Sequence, residues 1–269
     1  MQFMRISKII SRARLSLLAF LGICLSLFLV LRPRPNPYNG MALEDILQKN
    51  RDDITLEDLQ KLSRQQLIGV FHRLVSPEAC EMRGEYRAAI LDTGNAFNRF
   101  ISRFTLYRIW GEWGHKAFEP LTDMQGHGYN TFSTCLPRVH EDLYQALMDR
   151  LLHMLRHYFV GNGCQERTVR IIRNRTYVGP SMFDSHASFH LVYSPYNSFP
   201  VSTMHDEVRR INGKLFLGLG ILTVTGGRWN IFPFVLEGPP GDWMGADSGY
   251  PAGRAVAGEK TLCEEMHRE

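Results

Sequence analysis

The sequence lacks the short motifs that mark several common catalytic and nucleotide-binding folds. It contains no Gly-x-Ser-x-Gly, which excludes the nucleophile turn of the α/β-hydrolases at the level of motif. Phosphate-loop and protein-kinase motif sets are also absent. Gly218 and Gly220 form a Gly-x-Gly, but this lies in a β-rich run with no helix after it. The context that a dinucleotide-binding turn requires is therefore missing.

Cysteine is scarce, and its spacing excludes two further kinds of site. There are five cysteines and no Cys-x-x-Cys, so neither a thioredoxin-like redox centre nor a zinc ribbon is indicated. Cys24 lies in an apolar run, which leaves an even number of cysteines for the rest of the chain. Cys135 and Cys164 bracket a predicted helix and are our candidate disulfide, with free thiols as the alternative. Closing a loop of about thirty residues contributes roughly 3–4 kcal/mol in the chain-entropy model.

Acidic residues are absent from the first 43 positions, which hold six of the 31 Lys and Arg residues. The remainder therefore carries 25 basic and 27 acidic residues and is nearly neutral. A nucleic-acid-binding surface would need an excess of positive charge. We predict no nucleic-acid partner.

An uncharged stretch of seventeen residues, 15–31, follows the basic segment 1–14. It would span roughly 25 Å as a helix, which suits a short membrane span bracketed by Arg14 and Arg32. We predict a transmembrane signal-anchor. A cleaved signal peptide and an organelle transit peptide remain alternatives, since a basic start and an apolar run are common to all three.

The orientation of this predicted anchor follows from its flanking charges. Four Lys or Arg residues precede the span and two follow it closely, which favours a cytosolic N-terminus. We therefore expect a single-pass protein of the endoplasmic reticulum or secretory pathway with its C-terminal domain in the lumen. A mitochondrial or plastid membrane is the alternative. Asn174 begins an Asn-Arg-Thr sequon and is the candidate glycosylation site in the lumenal orientation.

Composition divides the rest of the chain into segments. The predicted segments are a Pro-rich stalk over 32–41, a helical segment over 42–76, a β-barrel-like domain over 77–237 with a helical insertion at about 124–165, and a loosely ordered Gly/Pro-rich tail over 238–269. Within the insertion, a helix is predicted near 141–158. From residue 166, β-rich runs recur about every ten residues, which is typical of an antiparallel meander or barrel. The predicted fold is mainly β with added α.

Several short segments carry a resemblance to a known family. They are Gly84–Ala88, Thr93–Asn95, Trp113–Phe118, Tyr193 with Pro195, Asp206–Arg210 and Leu217–Gly220. Together they resemble the landmarks of the GXWXG-motif family and its partner domain over about residues 65–237, with Tyr86 and Ala88 where that family has Trp and Gly. The resemblance implies a small lipocalin-like barrel, preceded here by a helix and a single transmembrane helix.

The candidate ligand-binding residues are Trp113, Lys116, Arg209, Tyr86 and Phe118. A cation at a barrel mouth can hold an anionic headgroup while the interior takes an apolar tail. The alternative for Lys116 and Arg209 is a structural role, either as an ion pair with Asp206 or Glu85 or, for Arg209, by packing on Trp113. Trp113 and Lys116 are three residues apart, so they can share a face only if the strand contains a bulge, for which Gly114 is suited.

Two functions remain open. The first is a membrane-anchored, lipocalin-like domain that binds a small hydrophobic molecule of the lipid or isoprenoid class. The second is an isomerase or cyclase acting on such a molecule, with Glu85, His190, Tyr193 and Asp206 as acid and base candidates. His186 and His190 alternate along a predicted strand and would share one face, and His205 lies beside Asp206. Two histidines on one face with a carboxylate could bind a metal, but the sequence fixes no third ligand. We therefore predict no metal site and no cofactor.

Overall fold

Strand-forming residues recur along the chain from residue 84, and they build one closed antiparallel barrel of eight strands. The structure is a computed structural model that describes residues 35–136, 139–160 and 165–248. The strands are β1 (Gly84–Ile90), β2 (Glu112–Pro120), β3 (Gln125–Thr134), β4 (Arg167–Pro180), β5 (Ala187–Val192), β6 (Met204–Arg210), β7 (Leu215–Leu222) and β8 (Phe232–Gly241). Each strand pairs with the next, and β8 returns to pair with β1. The predicted antiparallel barrel is confirmed.

The connections differ in length at the two ends of the barrel. Short turns join β2 to β3, β4 to β5 and β6 to β7 at one end, here called the closed end. The four longer connections lie at the other end, here called the open end, because successive antiparallel strands alternate in direction.

Three short helices precede the barrel where the sequence predicts a helical segment over 42–76. They are α1 (Leu43–Leu47), α2 (Leu56–Gln60) and α3 (Arg64–Phe71). The last helix begins at a capping box: the Ser63 backbone N–H donates to Gln66 Oε1 at 2.9 Å, and the Gln66 backbone N–H donates to Ser63 Oγ. Because a capping box begins a new helix, the predicted helical segment is divided into separate short helices.

Apolar side chains form two clusters on opposite faces of the sheet. One fills the barrel interior and includes Trp113 and Phe234. The other lies between the outer face of the sheet and the preceding helices, where Leu217 and Leu219 of β7 pack with residues such as Phe71 of α3. Leu217 and Leu219 therefore lie on the outer face of the sheet, and the alternating Gly218 and Gly220 lie on the inner face.

Two helical elements lie at the open end. The first is α4 (Ala96–Phe104), which continues as one π-helical turn over Thr105–Ile109 between β1 and β2. The second is α5 (Leu143–Val160) between β3 and β4, close to the predicted 141–158. Ala146 of α5 packs into the interior cluster, whereas Leu151 and Leu155 of the same helix are about half exposed.

The predicted insertion at 124–165 is wrong in its first part, because it contains β3. This strand pairs along its length with β2 and β4. Gly126 and Gly128 weaken the strand signal in the sequence, since glycine is depleted in strands. In the structure the backbone of neighbouring strands approaches both glycines too closely for a Cβ atom.

The predicted loose tail is also wrong in its first part. β8 continues to Gly241, which lies opposite Glu85 of β1. Beyond the strand, the Trp243 ring packs on Tyr129 with centroids 4.6 Å apart, and Asp247 accepts a hydrogen bond from the Arg170 backbone. Residues 238–248 therefore belong to the folded barrel.

The predicted anchor over 15–31 lies outside the described residues. Within the part of the chain that the structure describes, no helix is both long enough and apolar enough to cross a bilayer.

Candidate functional site

A cavity of about 110 Å³ lies inside the barrel near its open end. Its walls are mostly apolar and include Trp113, Phe132, Ile172, Phe232 and Phe234. Polar residues also reach it, among them Lys116, Asn130 and Asp206. Apolar walls with a few placed polar groups are typical of a small-molecule site.

Trp113 and Lys116 both contribute to this cavity because β2 contains a bulge. Trp113 lies opposite Phe132 of β3, and His115 lies opposite Thr131, so β2 carries one extra residue at Gly114. The side chains of Trp113 and Lys116 therefore share the interior face. A bulge at this position is what the sequence predicted.

The Lys116 ammonium lies at the centre of a buried polar cluster. Its Nζ donates to Asp206 Oδ2 at 2.8 Å, to Tyr193 Oη at 2.5 Å and to Asn130 Oδ1 at 3.1 Å. The Trp113 indole N–H donates to the same Asn130 oxygen at 3.1 Å. All three ammonium protons thus have partners within the protein, which corresponds to the structural alternative for Lys116.

Tyr193 completes the cluster as a neutral phenol. Its hydroxyl donates to Asp206 Oδ2 at 2.8 Å, and the residue is fully buried. Burial and the adjacent Asp206 charge raise the pKa of Tyr193 well above its usual value. The carboxylate therefore accepts hydrogen bonds from both Lys116 and Tyr193 on one oxygen.

The other oxygen of Asp206 faces the cavity beside Gly220. Oδ1 has no hydrogen-bond partner among the described residues, although Asp206 is 4% exposed and reaches the cavity. A Cβ atom on Gly220 would lie 2.7 Å from Oδ1, and one on Gly218 would collide with the Phe234 ring. The two glycines therefore make room for the polar cluster and for one cavity wall.

Helix α4 closes the open end above this cavity. Ile101, Ser102 and Leu106 of α4 and its π-helical turn reach the cavity from above. A hydrogen bond of 2.6 Å from the buried Asn98 to Asn230 ties α4 to the connection between β7 and β8. We call helix α4 the lid.

Arg209 does not join Trp113 and Lys116. Asp206 faces the interior, so Arg209, three residues later on a regular strand, faces outward. There it is fully buried, donates to both oxygens of Asp184 at 2.6 and 2.7 Å, and lies over the Phe71 ring. The structural alternative that the sequence left open also describes Arg209, although its partner is Asp184.

The Asp184 carboxylate is held in its charged form by this arrangement. Burial alone would raise its pKa, but hydrogen bonds from Arg209 and His72 outweigh burial and hold the pKa well below its usual range.

Tyr86 and Phe118 lie in the barrel interior but do not reach the cavity. They pack toward the closed end, where the Tyr86 ring meets Phe216 and the Phe118 ring meets Phe189 in edge-to-face contacts. The Tyr86 hydroxyl donates to the Glu81 carbonyl, and burial raises the pKa of Tyr86 to about 12. These residues form a packed floor.

The four acid and base candidates are not brought together. Tyr193 and Asp206 meet inside the barrel, whereas Glu85 and His190 lie on its outer face. Glu85 accepts hydrogen bonds from Tyr129 at 2.7 Å and from Arg170 at 2.8 Å. His190 lies between the inward-facing Phe189 and Leu191 and therefore points outward.

The predicted modification sites have different outcomes. Asn174 is fully buried, and neither its oxygen nor its nitrogen has a partner among the described residues. The folded barrel has no room for a glycan there, so Asn174 is not a surface glycosylation site. Cys135 and Cys80 are each disulfide-bonded. The pairing of Cys135 with Cys164 stays a prediction, because Cys164 lies outside the described residues.

Sequence reasoning missed two residues that shape the site. Asn130 accepts from both Trp113 and Lys116 and donates to the Ile172 carbonyl at 2.9 Å. Asparagine is depleted in strands, so its place in a strand could have identified it as a site residue. Phe234 lies 5.1 Å from the Lys116 ammonium and gave no such signal.

Comparisons with known proteins add little to this geometry. No protein-family model and no curated protein matches the sequence. A solved structure described as a crystal structure of a protein from Thermomonospora curvata is similar with a TM-score of 0.37 and 15% identity, over 65% of this chain and 87% of that chain. The resemblance to the GXWXG-motif family stays a prediction.

Proposed function

We propose that this protein is a membrane-associated, lipocalin-like binding module for a small apolar molecule of the lipid or isoprenoid class. The observation that carries the proposal is the apolar cavity beneath the lid, with its buried polar cluster. A barrel of eight strands encloses space for one small ligand. A cavity of about 110 Å³ suits a short apolar molecule or one end of a longer chain.

The polar cluster favours a ligand with a hydrogen-bond donor. Lys116 has no free proton for an anionic headgroup, and its charge is neutralised by Asp206. Asp206 Oδ1, in contrast, is an unused acceptor at the cavity. We infer that an alcohol binds better than the corresponding carboxylate, which Asp206 would repel.

The surface of the open end supports association with a bilayer. Twelve of the 17 exposed large apolar side chains of the described residues lie in its four connections. They are Phe97, Phe100, Phe104, Tyr144, Met148, Leu151, Leu152, Met154, Leu155, Phe199, Val224 and Trp229. Exposed patches of this kind mark interaction surfaces.

Charge on the same surface favours an anionic bilayer over other partners. Arg99 and Arg103 are exposed on the lid beside its phenylalanines, and Arg108 and Arg228 are exposed nearby. Aromatic side chains with interleaved arginines are typical of elements that lie in a membrane interface. The lid would then open toward the lipid from which the ligand comes, while residues 15–31 anchor the chain.

The binding proposal is tested with a matched pair of probes, geraniol and geranic acid. Isothermal titration of the purified chain is expected to show one site that prefers the alcohol. A hydrogen bond to a charged group contributes about 1.5–3 kcal/mol, so the preference should be tenfold or more. Equal affinity, or a preference for the acid, would contradict the role of Asp206 Oδ1, and absence of binding by either probe would contradict a site for such molecules.

The enzyme alternative is favoured by one observation. Lys116 and Asp206 are two titratable groups 2.8 Å apart at the cavity, and acid–base chemistry requires two such groups within reach of each other. Incubation with geraniol followed by product analysis separates the two functions. Recovery of unchanged geraniol supports binding, whereas isomerised or cyclised products that disappear in Asp206→Asn support catalysis.

A further inference from the structure

The outer wall of the barrel carries a cluster of metal-binding side chains that is separate from the cavity. We propose that His190, His205 and Glu207 bind one divalent transition-metal ion of the zinc type between β5 and β6. Each residue offers one ligand atom, and these atoms all lie within 4.8 Å of one another.

The strand register brings the three ligands to one face. His190 of β5 lies directly opposite Glu207 of β6, and His205 is two residues before Glu207 on the same strand. The sequence suggested Asp206 as the carboxylate beside His205, but Asp206 points into the barrel. Glu207 supplies the third ligand that the sequence did not identify.

The distances suit a single ion. His190 Nδ1 lies 2.8 Å from His205 Nε2 and 3.9 Å from Glu207 Oε1. Zinc binds imidazole nitrogen at about 2.0–2.1 Å and carboxylate oxygen at about 2.0–2.2 Å. Small side-chain rotations would therefore place all three atoms on an ion.

The tautomer of His190 leaves the required nitrogen without a proton. Its Nε2 lies 3.2 Å from the Gly179 carbonyl, which can only accept, so Nε2 carries the proton. Nδ1 then presents its lone pair toward His205 and Glu207. Metal-binding histidines typically donate their other N–H to a backbone carbonyl in this way. The Tyr177 ring stacks on His190 at 4.5 Å and fixes the plane of the imidazole.

Glu207 supplies a buried carboxyl group with one unpartnered oxygen. Its side chain is fully buried, Oε1 accepts from the Met182 backbone at 2.8 Å, and Oε2 has no partner. Among the described residues, no lysine or arginine nitrogen lies within 4.0 Å of this carboxylate. A buried carboxylate without a cation is costly, and a metal ion would remove that cost.

The donor set selects the class of ion. Two imidazoles and one carboxylate suit zinc and its neighbours, whereas calcium and magnesium prefer oxygen ligands throughout. His205 is partly exposed, so a water molecule can complete the coordination from the solvent side. The ion would join β5 to β6 and, through Met182, the turn between β4 and β5.

The test measures zinc uptake by the purified full chain without a polyhistidine tag. The chain is treated with a chelator, titrated with Zn²⁺ and freed of unbound metal, and the bound zinc is measured by mass spectrometry. We expect one zinc per chain and a rise in Tm on binding. His205→Ala and Glu207→Gln should each weaken zinc binding at least about tenfold, since ligands contribute at least as much as the outer-shell groups around them.

His186→Ala is the matched control, because His186 is exposed on the adjacent turn and lies outside the cluster. It should bind zinc as the unchanged chain does. Circular dichroism verifies the fold of each variant, and if Glu207→Gln does not fold, the partly exposed His205 decides the test. Absence of zinc uptake by the folded chain would leave only a hydrogen-bonded histidine pair and overturn the proposal. Full uptake by His205→Ala would overturn it equally.

Discussion

Lys116 Nζ lies 2.8 Å from Asp206 Oδ2 inside an apolar barrel, although 90 residues separate the two in the sequence. Both side chains are at least 94% buried. Each charge is therefore acceptable only because the other is present, and the pair ties β2 to β6 across the interior.

Lys116→Met should destabilise the fold, because it leaves the buried Asp206 carboxylate without its cation. Removing one partner of a buried ion pair costs about 3–5 kcal/mol of unfolding free energy. The double variant Lys116→Met with Asp206→Asn should recover most of that loss. Denaturant unfolding measures both.

The control for this pair is Arg87→Met, which breaks a long and exposed ion pair with Glu237. It should change the unfolding free energy by only about 0–1 kcal/mol. A Lys116→Met variant as stable as this control would show that the buried pair contributes little.

Gly220→Ala should weaken ligand binding without removing any polar group. The added methyl group would lie 2.7 Å from Asp206 Oδ1 and displace the acceptor that faces the cavity. We expect at least a tenfold loss of geraniol affinity, the equivalent of one hydrogen bond to a charged group. Gly213→Ala is the matched control, because nothing lies within 4 Å of its added carbon. If both variants bind geraniol alike, Oδ1 is not part of the site.

The lowered pKa of Asp184 predicts how the free energy of unfolding depends on pH. The pKa of this carboxyl is lower in the folded chain than in the unfolded chain, so the unfolded chain takes up the proton first as the pH falls. Its stabilisation is complete above the unfolded pKa of about 3.9 and is lost as the pH falls toward the folded pKa. Asp184→Asn should lower Tm at pH 7, and the difference from the unchanged chain should narrow below about pH 4.

The matched control for Asp184→Asn is Asp52→Asn, which removes an exposed carboxylate outside this ion pair. A Tm difference between Asp184→Asn and the unchanged chain that grows as the solution is acidified would contradict the assigned direction.

The lid should bind anionic bilayers through its phenylalanines. A chain that starts at Pro37, where the unit that contains the barrel begins, isolates this surface from residues 15–31. Replacing Phe97, Phe100 and Phe104 by Ser should reduce co-sedimentation with phosphatidylserine vesicles tenfold or more, since burying one Phe contributes about 1.5–3 kcal/mol. Tm should change little, because all three side chains are exposed.

Leu121→Ser with Met124→Ser provides the control for the lid, because both residues are exposed at the closed end. It should leave vesicle binding unchanged. Equal losses of vesicle binding in both variants would indicate nonspecific hydrophobic adsorption. Failure of the unchanged Pro37 chain to bind vesicles would contradict association of the open end with a bilayer.

The barrel was predictable from the sequence, because β-rich runs and regularly spaced turn residues are local features of the chain. The bulge at Gly114 was predictable for the same reason, since Trp113 and Lys116 lie within one strand. The position of Arg209 was not. Strand β6 carries polar residues on both faces, so its pattern does not show which face is inside, and that choice depends on the closed sheet. For the same reason, the sequence did not show that Glu207, and not Asp206, lies on the same face of β6 as His205.

The pairing of β1 with β8 closes the barrel. During synthesis β1 leaves the ribosome first and β8 last, so the sheet stays open until β8 has been made. Until then the edge of β1 is open, and the polar groups of Lys116 and Asp206 have no sealed interior around them. Folding that depends on such distant partners is slow. A nascent chain halted before Phe232 would therefore carry every side chain of the polar cluster and still have no cavity.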